Sequence, residues 1–305
     1  MEHGKRRERL QRIAQETLDA IETGIYTHDH TSHSLSTGIE LSKKNTQYYA
    51  PDSLLSGWST MRPSSGDPIS LDVSVLEVST LEGARLLSAI LQASGSDTSS
   101  SRIGVLNFAS ATKPGGGFKN GAQAQEESIA RSSTLYPTLT TPLAQTFYAF
   151  HKNDKKGGYY SHAMIYSPGV TVFRDDDGGW TEPTTIDVLT SAAVNAGVVR
   201  ETVLGRIAGS ATEDKIAKVM RERMARILFL FEKQGVKSVV LGSFGTGVFR
   251  NNVNLVANIW ADLLLDRTAR FGGSFEHVVF AILGRATFEE FERVFTERRS
   301  GYASA

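Results

Sequence analysis

From residue 71 onward the chain alternates short apolar, β-rich runs with long amphipathic stretches, and this alternation constrains the fold more than any other feature. LDVSVLEV, RIGVLNFAS, HAMIYSP, TTIDVLTSA, VKSVVLGSF and EHVVFAIL read as strands. LEGARLLSAILQ, AQEESIARSS, DKIAKVMRERMARILFLFEKQ, NNVNLVANIWADLLLD and ATFEEFERVF read as helices. Short strands that are apolar on both sides need cover on both faces, so the pattern predicts a three-layer α/β/α domain around a mainly parallel or mixed sheet. That domain spans residues 71–297, with 298–305 as a tail. Residues 1–70 form an N-terminal extension packed on the core. In it Leu10, Ile13, Ala14, Thr17, Leu18 and Ile21 recur at helical spacing up to a stop near Gly24. Residues 27–70, rich in Ser, Thr, His and Pro, read as an irregular connection.

Charge and composition narrow the function. Thirty-three basic and 33 acidic residues cancel over 305, so no global field favours a polyanion and any phosphate recognition must be local. The chain has no cysteine, which removes disulfides, thiolate metal sites and a cysteine nucleophile. No apolar run approaches the roughly 20 residues of a membrane span, and MEHGKRRERLQRIAQETLDAI has no apolar h-region. The expectation is a soluble, cytoplasmic protein, nuclear if the source is eukaryotic, with no membrane contact and monomeric by default.

Two glycine-rich loops sit where open α/β sheets bind ligands, between a strand's carboxyl end and a helix. The first runs GGGFKNGAQAQEE from Gly115 through Gly116 and Gly117 to Gln125, Glu126 and Glu127. It joins a backbone able to approach a ligand closely to a pair of acids able to move protons. The second is Gly242-Ser243-Phe244-Gly245-Thr246-Gly247-Val248-Phe249, ahead of the helix near Asn252. Amides at a helix start suit a phosphate or diphosphate, although there is neither a Gly-Lys-Ser/Thr nor a GxGxxG pattern. Other clusters carry less. A lone Glu pair is ordinarily a dipole-complementing first turn. Asp175-Asp176-Asp177-Gly178-Gly179 lacks calcium-ligand spacing and reads as an exposed turn. His28, His30 and His33 read as a solvated loop rather than a metal site, and Phe244 reads as core.

The GGG-x7-QEE arrangement resembles the signature of poly(ADP-ribose) glycohydrolases, a catalytic branch of the macrodomain fold. The similarity continues through Val105–Pro114, Ala130-Arg131-Ser132-Ser133-Thr134-Leu135-Tyr136-Pro137, HAMIYSPGVTVFRDD, DVLTSAAVNAG and GSFGTGVFRNN, covering residues from about 70 to 285 and pointing to the microbial type. The opening helix is typical of that type too. The resemblance implies that Glu127 is the catalytic acid and that Glu126 holds ribose hydroxyls beside the scissile bond. It implies that Gly115, Gly116, Gly117 and Gln125 help form the pocket for the distal ribose and its phosphates. Gly245, Thr246 and Gly247, with Val248, match the diphosphate loop, Phe249 an aromatic near the terminal ribose, and Asn107 a polar residue directed into the cleft. Adenine would lie near Glu77 and Val78. The implied ligands are ADP-ribose, poly(ADP-ribose) and poly-ADP-ribosylated proteins, in the DNA damage response, with no cofactor, no metal and no direct recognition of nucleic-acid sequence.

Elementary chemistry fits that assignment. Cleaving a ribose–ribose O-glycosidic bond needs a proton for the departing oxygen and a stabilised oxocarbenium-like transition state. Ordinary glycosidases use two carboxylates facing each other across about 5–10 Å. Adjacent residues on a helix diverge by about 100°, so Glu126 and Glu127 cannot face one another and must have different jobs. Glu127 then serves as general acid and afterwards as general base for water, while Glu126 orients the ribose; the resemblance implies cutting from the free end of the polymer and release of ADP-ribose. Two alternatives stand beside it: a non-catalytic ADP-ribose reader on the same fold, which would have no use for an intact acid pair, and a hydrolase of mono-ADP-ribosylated proteins.

Overall fold

A computed structural model describes residues 2–61, 70–95, 102–153, 157–266 and 268–303. Seven strands form one sheet: β3 (Gln47–Tyr49), β4 (Asp72–Leu76), β5 (Ile103–Phe108), β6 (Met164–Arg174), β7 (Trp180–Ser191), β8 (Ser238–Leu241) and β9 (His277–Ala281), in the order β3-β6-β7-β5-β8-β9-β4. The pairs from β7 through β5, β8 and β9 to β4 are parallel, and β6 and β3 add antiparallel pairs at the other side. The sheet is mixed, as the sequence predicts.

Central β5 is buried along nearly its whole length, as a strand covered on both faces must be. Its alternate residues feed two cores. Ile103 and Val105 pack with α3 (Thr80–Ala93), α4 (Gln125–Ser132), α5 (Leu135–Leu139) and α6 (Pro142–Asn153). Leu106 packs on the opposite side with α9 (Ser210–Lys233), α10 (Val253–Leu264) and α11 (Arg285–Ala303). The loop after β5 therefore leads to a helix on one face and the loop after its neighbour β8 to a helix on the other. This divergence opens a crevice at the carboxyl ends of the two strands.

The N-terminal region is more ordered than its composition suggests. α1 (Glu2–Thr23) ends at Gly24, whose φ of 73° is the left-handed stop expected there. Beyond it, where an irregular connection is predicted, lie a hairpin of β1 (Ile25–His28) and β2 (Thr31–Ser34), the helix α2 (Ser36–Asn45) and the edge strand β3. TSHS and STGIELSKKN carry little apolar periodicity. β1 is held by Tyr26, which stacks between His33 and Trp180 and donates to the carbonyl of Thr181, so tertiary contacts rather than local pattern fix these elements. Residues 62–69 of the predicted extension lie outside the described residues. The predicted tail from 298 continues α11 through Ala303, because Arg298 bonds Asp262, Asp266 and Asn258.

β6 and β7 also run longer than their sequence signals. They form one hairpin around the Asp175–Gly179 turn, with a register shift between Ser167 and Val170 where Pro168 and Gly169 interrupt the ladder. Asp176 accepts from Ser79 and Arg85 there, a structural use of an acidic run. None of the described helices is long and apolar enough to cross a membrane.

Candidate active site

The loop after β5 turns back beneath the start of α4, and the three glycines make the turn possible. Gly115 and Gly116 sit at φ 67° and 60°, where side chains are strained. A Cβ on Gly116 would lie 2.3 Å from Glu127 Oε1 and 3.0 Å from Glu126 Oε2, so both carboxylates converge on this one residue. The Gly117 amide donates to Glu127 Oε1 at 2.9 Å. A Cβ on Gly115 would press on Phe118 and Ala130.

The two acids are held differently although both carboxylates reach Gly116. Glu126 is 2% exposed. The Ser110 amide donates to its Oε2 at 2.6 Å, and Asn107 Nδ2 reaches Oε1 at 3.4 Å. Burial pushes its carboxyl up to about 8; the Ser110 amide bond opposes this, and the neighbouring Glu127 adds to it. Burial thus favours the protonated form of Glu126 beside Glu127. Glu127 is 9% exposed, and among the described residues the only hydrogen bond to its carboxylate comes from Gly117.

Gln125 is spent on the protein, and Asn107 bonds to protein through Nδ2 while its buried Oδ1 has no hydrogen-bond partner among the described residues. Asn107, on β5, is fully buried and also donates to Thr190 Oγ1 at 3.2 Å, so the structure places it behind Glu126. Gln125 accepts from the Phe108 amide at 2.8 Å and donates to the Leu106 carbonyl at 2.7 Å and to Thr80 Oγ1 at 3.2 Å, which pins α4 to the end of β5.

The loop after β8 faces this turn across the crevice. Gly245, at φ 76°, has room for no side chain: a Cβ would lie 2.4 Å from Ala193 Cβ and 2.7 Å from Asn251 Nδ2. Buried Asn251 ties the loop down by donating to the carbonyls of Val194 and Gly245. Thr246 folds back onto the Ser243 carbonyl through both its amide and its hydroxyl. Among the described residues the amides of Gly247, Val248 and Phe249 donate to no protein acceptor, which leaves a short row of donors of the kind that binds an anion. Val248 is exposed, Phe249 is partly buried beside Tyr160, and Phe244 is core. Glu77 and Val78 follow β4, three strands from β5 in the sheet order.

Sequence reasoning gave Ser110, Arg131, Thr190 and Asn251 no role. Arg131 follows Glu127 by four residues on α4, a spacing that brings side chains together. It is buried, donates to the Ala122 carbonyl at 2.6 Å and so closes the loop that carries the glycines. Burial pulls its guanidinium below its ordinary range, against the pull of Glu127. Ser110 acts through a backbone amide, and no side-chain pattern marks that.

Comparisons with known proteins agree with this geometry. Residues 14–175 match the family described as microbial-type PARG, catalytic domain, PARG being poly(ADP-ribose) glycohydrolase. The crystal structure of the Thermomonospora curvata glycohydrolase is 37% identical with a TM-score of 0.81, covering 96% of this chain and all of that one. The same enzyme bound to the inhibitor ADP-HPD is 36% identical at a TM-score of 0.79, with the same coverage. The Deinococcus radiodurans enzyme in complex with ADP-ribose is 31% identical at a TM-score of 0.72, covering 85% of this chain and 97% of that one. Comparison with curated protein sequences found no match. With the family model spanning more than half of the sequence and full-length structural relatives above 30% identity, the chain belongs to the microbial-type poly(ADP-ribose) glycohydrolases.

Proposed function

We propose that the protein hydrolyses the ribose–ribose O-glycosidic bonds of poly(ADP-ribose), acting on poly-ADP-ribosylated proteins from the free end of the polymer and releasing ADP-ribose. The observation that carries this reading is the convergence of Glu126 and Glu127 on Gly116, facing a loop whose amides at Gly247, Val248 and Phe249 are free to hold a diphosphate. A reader of ADP-ribose needs the second loop but not the first.

In this reading the diphosphate of the terminal unit lies on the Gly245–Phe249 loop, and its distal ribose sits between that loop and Gly115–Gly117. Glu126, locked by Ser110 and Asn107, presents a neutral carboxyl that can donate to or accept from a ribose hydroxyl. Glu127, held at one oxygen by Gly117, protonates the departing ribose oxygen and then takes a proton from the attacking water. Asn107 and Gln125 act as positioning residues behind the carboxylates.

A second assignment has one point in its favour: burial pushes the Glu126 carboxyl up to about 8, toward the protonated state a general acid requires. Its enclosure argues against it, since both its oxygens are engaged by protein. The activity itself is tested by incubating the protein with labelled poly(ADP-ribose) and, separately, with a mono-ADP-ribosylated protein. Free ADP-ribose from the polymer alone is the expected result. Binding without products would favour the reader, and release from the mono-modified protein would favour the third class.

A further inference from the structure

A cavity of about 820 Å³ lies beside the site and none of the residues assigned above lines it. Its walls include the rings of Tyr159 and Tyr160, with Val199, Leu204, Thr212 and Lys215. The volume is that of a small-molecule site. The cavity sits at the carboxyl end of β7, beside two short helices, α7 (Ala196–Glu201) and α8 (Val203–Ala208). Tyr160 and the start of α7 connect it to the loop after β8. The Gly197 amide donates to the Phe249 carbonyl at 3.1 Å, and the Tyr160 ring centroid lies 6.0 Å from that of Phe249. Tyr160 takes φ 52°, a costly conformation for a bulky residue, and in it the ring bridges His151 and Phe249.

We infer that this cavity binds the adenine nucleotide of the second unit of the polymer, on the far side of the scissile bond. The inference rests on the glycohydrolase reading and follows from the sheet order. The diphosphate of the released unit lies on the loop after β8 and the acids lie after β5; the next strand in the same direction is β7. The remaining chain leaves past the end of β7, where the cavity is.

The lining suits a purine nucleotide. Aromatic walls stack any base, because every base has a π-face. Lys215 Nζ stands 4.6 Å from the Tyr159 ring centroid and pairs with no carboxylate among the described residues, so it is available to a phosphate of the same unit. The rim is apolar and uncovered: no residue of α8 is buried, and Val203, Leu204 and Ile207 are 75%, 79% and 78% exposed. A base entering the cavity would cover Leu204, which the protein alone leaves in solvent.

The test is equilibrium binding to the uncleaving Glu127→Gln form, with ADP-ribose and a size-defined ADP-ribose trimer as the two probes. The trimer is expected to bind about tenfold more tightly, the size of one base–aromatic stacking contact. Tyr159→Ala and Lys215→Glu, each added to Glu127→Gln, are expected to remove most of that gain and leave ADP-ribose affinity unchanged, which also shows that the variants fold. Equal affinity for the two probes, or a gain that survives both substitutions, would overturn the inference while leaving the glycohydrolase reading intact. Failure to bind ADP-ribose at all would overturn both.

Discussion

Gly116 has no side chain because two carboxylates already occupy the space where one would be. Alanine there must also adopt a left-handed backbone, at a cost of about 1–2 kcal/mol. Gly116→Ala is expected to lower poly(ADP-ribose) hydrolysis by about a hundredfold or more, the scale of a misplaced catalytic group, with a modest fall in melting temperature. Near-normal activity would show that the acids need not converge on the loop. Glu126 makes a second prediction, in stability. The unfolded chain ionises it at about 4.5, whereas the folded protein keeps the proton up to about 8. Between those values the unfolded state binds fewer protons, so folding stability falls as pH rises. Glu126→Gln removes that penalty. Relative to wild type it is expected to gain about 1 kcal/mol per pH unit across this window, with no gain at or below its lower end, in melts taken from pH 4 to 8. A difference independent of pH would contradict the protonated, buried state. The residue types of this site were legible in the sequence. Their charge state was not, because it follows from enclosure by Asn107, Ser110 and the glycine turn, which come together only in the fold.

At the scale of elements, α4 carries the acids and α1 braces them from behind. Thr17 donates its buried hydroxyl to the Arg131 carbonyl near the end of α4, and Ala14 packs with Phe118 and Ala130. Arg7 bonds the Asn120 carbonyl, and a Cβ on Gly121 would lie 2.6 Å from the Arg7 carbonyl oxygen, so α1 lies directly on the signature loop. Thr17→Val keeps the shape and removes the donor. It is expected to cost about 1–2 kcal/mol in chemical denaturation and to lower kcat more than it raises KM, since α1 touches the acid-bearing elements rather than the diphosphate loop. An unchanged denaturation midpoint would detach α1 from the site. α1 could be read from its 3.6-residue period and α4 from its position after the glycines. The β1–β2 hairpin, α2 and β3 could not, because short polar segments owe their structure to what they pack against. Tyr26 against Trp180 and β3 against β6 are such contacts. The length of the β6–β7 hairpin was hidden for a related reason: Pro168, Gly169 and Pro183 read as breaks, and a bulge absorbs the first two.

Over the whole molecule, a sheet with helices on both faces places two unlike loops side by side at the ends of β5 and β8. In the proposed reaction one loop supplies proton chemistry and the other supplies amides. With 33 basic and 33 acidic residues the chain has no net charge to draw in a polyanion, so the proposed binding rests on these loops and on local cations. The layered architecture was legible from alternation alone, and the glycine loops from their place after apolar strands. The crevice between them was not, because it arises from strand order: β5 lies next to β8, although 132 residues of chain separate Phe108 of one from Leu241 of the other. The central claim is a division of labour within that crevice, with Glu127 moving protons and Glu126 holding the ribose. The most direct test is the rate of ADP-ribose release from poly(ADP-ribose) by Glu127→Gln and Glu126→Gln, with ADP-ribose binding measured on each. Glu127→Gln is expected to lose about 10²–10⁴-fold in kcat with ADP-ribose affinity within a few-fold of wild type, and Glu126→Gln to lose affinity as well as rate. Near-wild-type release by Glu127→Gln, with the pure rate loss falling instead on Glu126→Gln, would reverse the two roles.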